Sequence, residues 1–187
     1  MAASAKAAGI LLLLAALGVV TAETVRARAA AIESSVDDTQ LLASHKLLIP
    51  VEGLPRAKLR DNFAEGRGGH KHEALDMMAP RGTPVIAVGD GRVVKLFKSV
   101  AGGLTVYQFD PDEKFAYYYA HLDRYADGLK EGVTLKRGDL LGYVGSTGNA
   151  PPNAPHLHFT IFRMGPEKRW WKGIAVNPFP FLNEYVR

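Results

Sequence analysis

Between residues 83 and 163 the chain runs as short apolar, β-branched segments separated by turn residues, and this rhythm constrains the fold more than any other feature. Residues 83–88 form one such segment. Asp90-Gly91 is a strong hairpin turn, and residues 92–98 follow with Val93, Val94, Leu96 and Phe97. Gly102-Gly103 leads into 104–109, and Pro111-Asp112 leads into 115–121. A loop over 123–132 precedes a strand at 140–144. A second loop over 145–155, rich in Gly, Pro and Asn, precedes the last strand at 156–163. Segments this short and this closely spaced leave no room for crossover helices. They predict a mainly β, compact antiparallel domain and not a series of βαβ units.

The rest of the chain reads more simply. Residues 1–22 look like a secretory signal: Lys6 is the one charge, residues 9–20 are unbroken apolar or small, and Val20-Thr21-Ala22 offers small residues before Glu23. The stretch is short for a membrane span, which takes about 20 apolar residues; an uncleaved anchor is the alternative. Either way the domain is expected outside the cytoplasm, in the periplasm or cell envelope. Residues 23–44 predict a short helix, with Val25, Ala29, Ile32 and Val36 on one stripe. His45, just past it, reads as a surface histidine. Pro50, Gly53 and Pro55 break residues 47–63 into extended pieces and turns, and residues 64–69 read as a flexible Gly-rich loop. That loop lacks the Lys-Ser/Thr ending of a phosphate-binding loop. The domain division is therefore 1–22, signal or anchor; 23–46, helix and linker; 47–187, the β domain.

Composition removes several classes. The 187 residues contain no cysteine, so disulfides, thiolate metal sites and cysteine nucleophiles are excluded. The formal charge of +4 is spread along the chain without a basic run, which argues against a nucleic-acid partner. A metal site here must be built from His, Asp or Glu.

Two constellations supply such residues. In Pro155-His156-Leu157-His158-Phe159 the two imidazoles lie two apart, so on a strand they share one face while Leu157 and Phe159 share the other. They could be two ligands, or one ligand and one general acid or base. Upstream, His72 and Asp76 are four apart and also share a face. With His158 they would complete a three-ligand site, and zinc held by three protein ligands keeps a fourth position open, which marks a catalytic centre. His121, ending Tyr117-Tyr118-Tyr119-Ala120-His121-Leu122, is the natural neighbour. Each histidine alone reads as an ordinary polar strand residue. All of them in register, in a chain with 6 histidines, is harder to dismiss.

The ordered set resembles the lysostaphin-type zinc metallopeptidases, also called the LytM family of murein endopeptidases, over about residues 48–178. The resemblance is carried by His72-Glu73-Ala74-Leu75-Asp76, Ala79-Pro80-Arg81-Gly82-Thr83-Pro84-Val85 and Asp90-Gly91-Arg92-Val93. It continues through Tyr119-Ala120-His121-Leu122, Arg137-Gly138-Asp139, Gly142-Tyr143-Val144-Gly145-Ser146-Thr147-Gly148-Asn149-Ala150 and His156-Leu157-His158-Phe159. It implies the fold of these peptidases, the duplicated hybrid motif. It implies Zn2+ held by His72, Asp76 and His158, with His121 and His156 as catalytic non-ligands. It implies hydrolysis of peptide cross-links in peptidoglycan. Ala74 departs from the Gly that many members carry, and His70 has no role in the family.

Two rivals remain. Members that have lost ligands act as murein-binding adaptors that activate another hydrolase, but this chain keeps all five positions. A biotinyl or lipoyl carrier would need a lysine in a Met-Lys-Met or Asp-Lys-Ala hairpin, and no such sequence occurs. Tyr107, Tyr117, Tyr118, Tyr119, Trp170 and Trp171 are candidates for a substrate groove, most of them being better read as packing.

Overall fold

The computed structural model describes residues 22–183, with only the backbone of residues 22, 30–36 and 70. The expected signal lies outside the described residues, the backbone of Ala22 apart. The chain divides into two units, Met1–Leu41 and Leu42–Arg187. Helix α1 (Ala22–Ser44), all but its last three residues in the first unit, begins one residue before the expected position. The first members of its apolar stripe, Val25 and Ala29, are exposed. Among the described residues no helix is long and apolar enough to cross a membrane.

The second unit is antiparallel β, as the turn spacing predicts. Its strands are β1 (Gly66–Arg67), β2 (His70–Lys71), β3 (Leu75–Met78), β4 (Pro84–Ile86), β5 (Gly91–Ser99), β6 (Gly103–Phe109), β7 (Phe115–Tyr125), β8 (Thr134–Leu135), β9 (Leu140–Val144), β10 (His156–Met164) and β11 (Gly173–Val176). The main sheet runs β11-β10-β7-β6-β5-β8, with β3 also on β10, β9 on β7, and β4 on β9. Three features differ from expectation. The Gly-rich loop closes into the β1–β2 hairpin. Residues 75–78 and 173–176, which carry no clear strand pattern, pair with β10. His45 is part-buried, with Nδ1 2.9 Å from the Tyr117 hydroxyl.

Strand β10 is the middle of the functional half. Leu157, Phe159 and Ile161 point into the core with no exposure. His156, His158 and Thr160 alternate onto the other face, as the two-residue period requires. Strand β7 is buried on both faces from Phe115 to Leu122 except at Tyr118. Each large apolar side chain removed from water in this way contributes roughly 1.5–3 kcal/mol.

The core also contains a closed polar chain. The Tyr119 hydroxyl donates to Gln108 Oε1 at 2.8 Å and accepts from the Val88 N–H at 3.0 Å. The Gln108 amide in turn donates to the Gly89 carbonyl at 2.8 Å. Burial pushes the Tyr119 pKa up, so the phenol stays a donor. A fully satisfied buried network of this kind fixes one arrangement, because any alternative leaves a polar group unpaired.

Two backbone features aim side chains at one spot. Leu104 opposes Leu122 while Val106 opposes Tyr119, so β7 carries one extra residue there. At this bulge His121 takes φ +60°, a left-handed conformation that costs about 1–3 kcal/mol in a non-glycine residue. Gly145, after β9, has no room for a side chain: a Cβ would lie 2.7 Å from both the His121 carbonyl oxygen and the Asp123 Cα. Its own carbonyl accepts the His156 N–H at 3.1 Å. We expect Gly145→Ala to lower stability by about 1–3 kcal/mol through overpacking. A lower urea midpoint with an unchanged slope would show it, and a midpoint equal to that of the parent would refute it.

Candidate metal centre

His72 lies just after β2, Asp76 on β3 and His158 on β10. The register pairs His158 with Asp76 on one edge of β10 and with Ala120 on the other. His72 is brought over Asp76 by Glu73, which adopts φ +56°. The left-handed residue of this loop is therefore Glu73. Ala74 is fully buried and is not in the left-handed region, so its methyl is accommodated.

The three candidate ligands converge. His72 Nε2 is 3.0 Å from Asp76 Oδ1 and 3.2 Å from His158 Nδ1, and His158 Nδ1 is 3.0 Å from Asp76 Oδ1. Two ligands of a tetrahedral ion, each bonded at about 2.0–2.1 Å, stand about 3.3 Å apart. The triangle is of that size.

The protons sharpen the point. His72 Nδ1 lies 3.1 Å from the Asn62 carbonyl, which can only accept, so Nδ1 carries the hydrogen. The other nitrogen, Nε2, faces a carboxylate oxygen. At 3.0 Å that contact is held by either a proton on Nε2 or a cation shared by the two atoms. The donor set, two imidazoles and one carboxylate, suits zinc.

His121 and His156 stand beside this triangle with the same orientation. His121 Nδ1 is 2.8 Å from the Thr147 carbonyl, and His156 Nδ1 is 2.9 Å from the Ala154 carbonyl. Each therefore leaves Nε2 as an acceptor; that of His156 is 3.6 Å from Asp76 Oδ1. The His121 ring centroid is 4.9 Å from that of His156 and 5.5 Å from that of His158. Burial pushes the His121 pKa down to about 4, against the hydrogen bond to Thr147, and the neighbouring imidazoles add to the depression. Asp76 is held well below the usual carboxylate range. Burial opposes this, but the hydrogen bond from His158 and the charges of His158, His72 and His156 outweigh it.

All five residues singled out in the sequence thus meet. Several supporting groups were not foreseen. Asn62 holds two candidate ligands at once, its carbonyl on His72 and its side-chain oxygen 3.3 Å from the Asp76 N–H. Arg67 donates to Asp76 Oδ2 at 2.8 Å, leaving Oδ1 for the triangle. Asn62 sits 14 residues before Asp76 in a stretch of turns, where spacing carries no signal. Of the aromatic candidates, Tyr117 and Tyr119 are fully buried. Tyr118 lies 6.2 Å from the His158 ring, and Tyr107 stacks between Tyr118 and Trp170 at 4.6 and 4.9 Å.

With this geometry in hand, comparison with known proteins is specific. The model of peptidase family M23 matches residues 70–178. An L-Ala–D-Glu endopeptidase of Bacillus subtilis is 32% identical over 152 residues, 78% of this chain and 45% of that protein. The murein hydrolase activator NlpD of Escherichia coli is 29% identical over 133 residues, 71% of this chain and 30% of that protein. Among solved structures, lysostaphin of Staphylococcus simulans superposes with a TM-score of 0.59 at 29% identity, covering 74% of this chain and 53% of that one. The chain spans less than half the length of these curated relatives. On the family match across most of the β unit, and on a fold shared with lysostaphin, the chain belongs to peptidase family M23, the lysostaphin-type metallopeptidases.

Proposed function

We propose that the chain is a zinc-dependent metalloendopeptidase that hydrolyses peptide cross-links of peptidoglycan. The observation that carries this reading is the convergence of His72 Nε2, Asp76 Oδ1 and His158 Nδ1 beside two imidazoles whose Nδ1 atoms are held by carbonyls. His72, Asp76 and His158 would hold the ion, oriented by Asn62 and Arg67. Bound there, zinc supplies Lewis acidity that polarises a carbonyl and acidifies water near neutral pH.

The remaining steps belong to the chain. Carbonyl acceptors at Thr147 and Ala154 lock the tautomers of His121 and His156, so their Nε2 atoms are set to take a proton and return it. His121 is neutral through the physiological range because burial resists its charging. Transfer to one Nε2 turns that imidazole into a donor for the developing oxyanion or the leaving amine. Tyr118, Tyr107 and Trp170 form an apolar wall beside His158 against which a stem peptide or sugar would lie.

The substrate assignment rests on the family and on relatives named for cell-wall hydrolysis. It agrees with residues 1–22 as an export signal, residues 23–46 as a linker and residues 47–187 as the peptidase domain, placing the enzyme in the envelope where murein lies. Similarity to an activator keeps a second reading in view, a murein-binding adaptor. It loses ground because all five site residues are present and oriented.

Three outcomes test the proposal. Incubated with purified sacculi, the protein should release cross-link fragments identifiable by mass spectrometry, and a chelator should stop the release; intact cross-links with the zinc-loaded protein would favour the adaptor. His158→Ala should lose the zinc of this centre. His121→Ala should keep it while hydrolysis falls by about 10²–10⁴-fold, the range for a general acid or base. Equal zinc content in the two variants would contradict this division of roles. Finally, in chelator-treated protein, stability should fall as pH drops from about 6.5 toward about 4. In that window the unfolded chain's imidazole binds a proton that folded His121 refuses. His121→Gln should flatten the slope in urea titrations across that window, and an unchanged slope would rule the residue out as its source.

A further inference from the structure

The turn between β6 and β7 contains a buried charge that the M23 site does not use. Asp110 is 2% exposed, and its Oδ1 accepts the Phe115 N–H at 2.8 Å. Its Oδ2 is buried and has no hydrogen-bond partner among the described residues. An unpaired carboxylate oxygen in the interior is costly and calls for an explanation. The group facing it is His45, whose Nε2 lies 4.0 Å from Oδ2. That is too long for a hydrogen bond. It exceeds by about 0.7 Å the separation of about 3.3 Å between two ligands of a tetrahedral ion, a gap that a small side-chain rotation closes.

The surroundings complete a ligand set. The candidate donor atoms of His45, Asp110 and Asp112 all lie within 4.8 Å of one another. Asp112 is exposed, and its side chain can swing toward the other two. His45 is held from behind: its Nδ1 lies 2.9 Å from the Tyr117 hydroxyl, which leaves Nε2 as the atom turned to Asp110. An imidazole whose second nitrogen is fixed by a hydrogen bond is the usual arrangement around a bound metal. Lys46, two residues past the end of α1, has φ +48° and follows His45 in the turn. Beside the cluster opens a cleft of about 320 Å³ lined by His45, Asp90, Pro111, Tyr117 and Arg137, which gives an ion a way in.

The nearby cations do not compete for this position. The Arg137 guanidinium donates to the Lys46 carbonyl at 2.9 Å, and its backbone N–H donates to Asp90 Oδ1 at 2.8 Å. Lys136 Nζ donates to Asp90 Oδ2 at 3.2 Å. Asp90 is thereby satisfied, and Asp110 and Asp112 remain to neutralise a divalent charge.

We propose that His45, Asp110 and Asp112 form a second metal site, separate from the M23 centre, that takes a first-row divalent ion such as Zn2+. One imidazole and two carboxylates give the mixed nitrogen and oxygen donors such ions prefer, whereas calcium and magnesium favour oxygen alone. The site would be structural, tying the end of α1 to the β6–β7 turn.

Metal analysis of the full chain, stripped with chelator and dialysed against dilute ZnCl2, tests this directly. The parent should carry two zinc ions per chain, His45→Gln one, His158→Ala one, and the double variant none. Asp112→Asn, at an exposed position, should halve the zinc content without disturbing the core. The melting temperature of His158→Ala should rise on adding ZnCl2, because an ion that binds only the folded state stabilises it. The double variant should show no rise. Hydrolysis by His45→Gln should match the parent. A His158→Ala protein that binds no zinc, or a His45→Gln protein that binds as much as the parent, would overturn the second site. Failure of the M23 centre would look different, with His158→Ala carrying as much zinc as the parent.

Discussion

The site depends on the register of one strand. β10 is hydrogen-bonded on both edges where it matters, to β3 through His158 and Asp76 and to β7 through His158 and Ala120. Each edge alone brings one partner near His158. Together they bring Asp76 from one side and His121 from the other. Because side chains alternate along a strand, a slip of one residue would move both β10 imidazoles to the core face and Leu157 and Phe159 outward. Burial of Leu157, Phe159 and Ile161 opposes that slip, so the apolar face of β10 holds the polar face in place.

The electrostatics are built on this frame by backbone carbonyls. Asn62, Thr147 and Ala154 each take the Nδ1 hydrogen of one histidine. Peptide oxygens have no proton to give, so these contacts settle the tautomers without ambiguity. Three imidazoles thereby turn Nε2 inward, next to a carboxylate that its surroundings hold in the ionised form. A cluster of this kind presents its nitrogen and oxygen atoms to a cation.

Much of this was legible in the residues. The strands over residues 140–144 and from 156 followed from alternation and turns, and His-x-His on one face is a direct consequence of strand geometry. The five site residues emerged because His72 with Asp76 and His156 with His158 are local pairs, joined by a strand-end histidine. What escaped detection is non-local. β3 and β11 have no strand pattern of their own and exist because β10 offers an edge to each. Arg67 belongs to a Gly-rich stretch that looks unstructured until it closes as a hairpin. His45 reads as solvated because its partners, Asp110 and Tyr117, are more than sixty residues away. The left-handed turns at Glu73 and His121 also leave no mark in composition, since neither is the glycine that such backbone favours.

Arg67 has a bearing on how fast an ion could come and go. It holds the outer oxygen of Asp76 from a hairpin of two-residue strands, the slightest element bordering the centre. The other supports are seated in the main sheet or its tight loops. Movement of this small hairpin would free Oδ2 without unzipping β10. An ion held at Oδ1 would then gain a second carboxylate oxygen, so its exchange would follow a local motion and not the stability of the sheet.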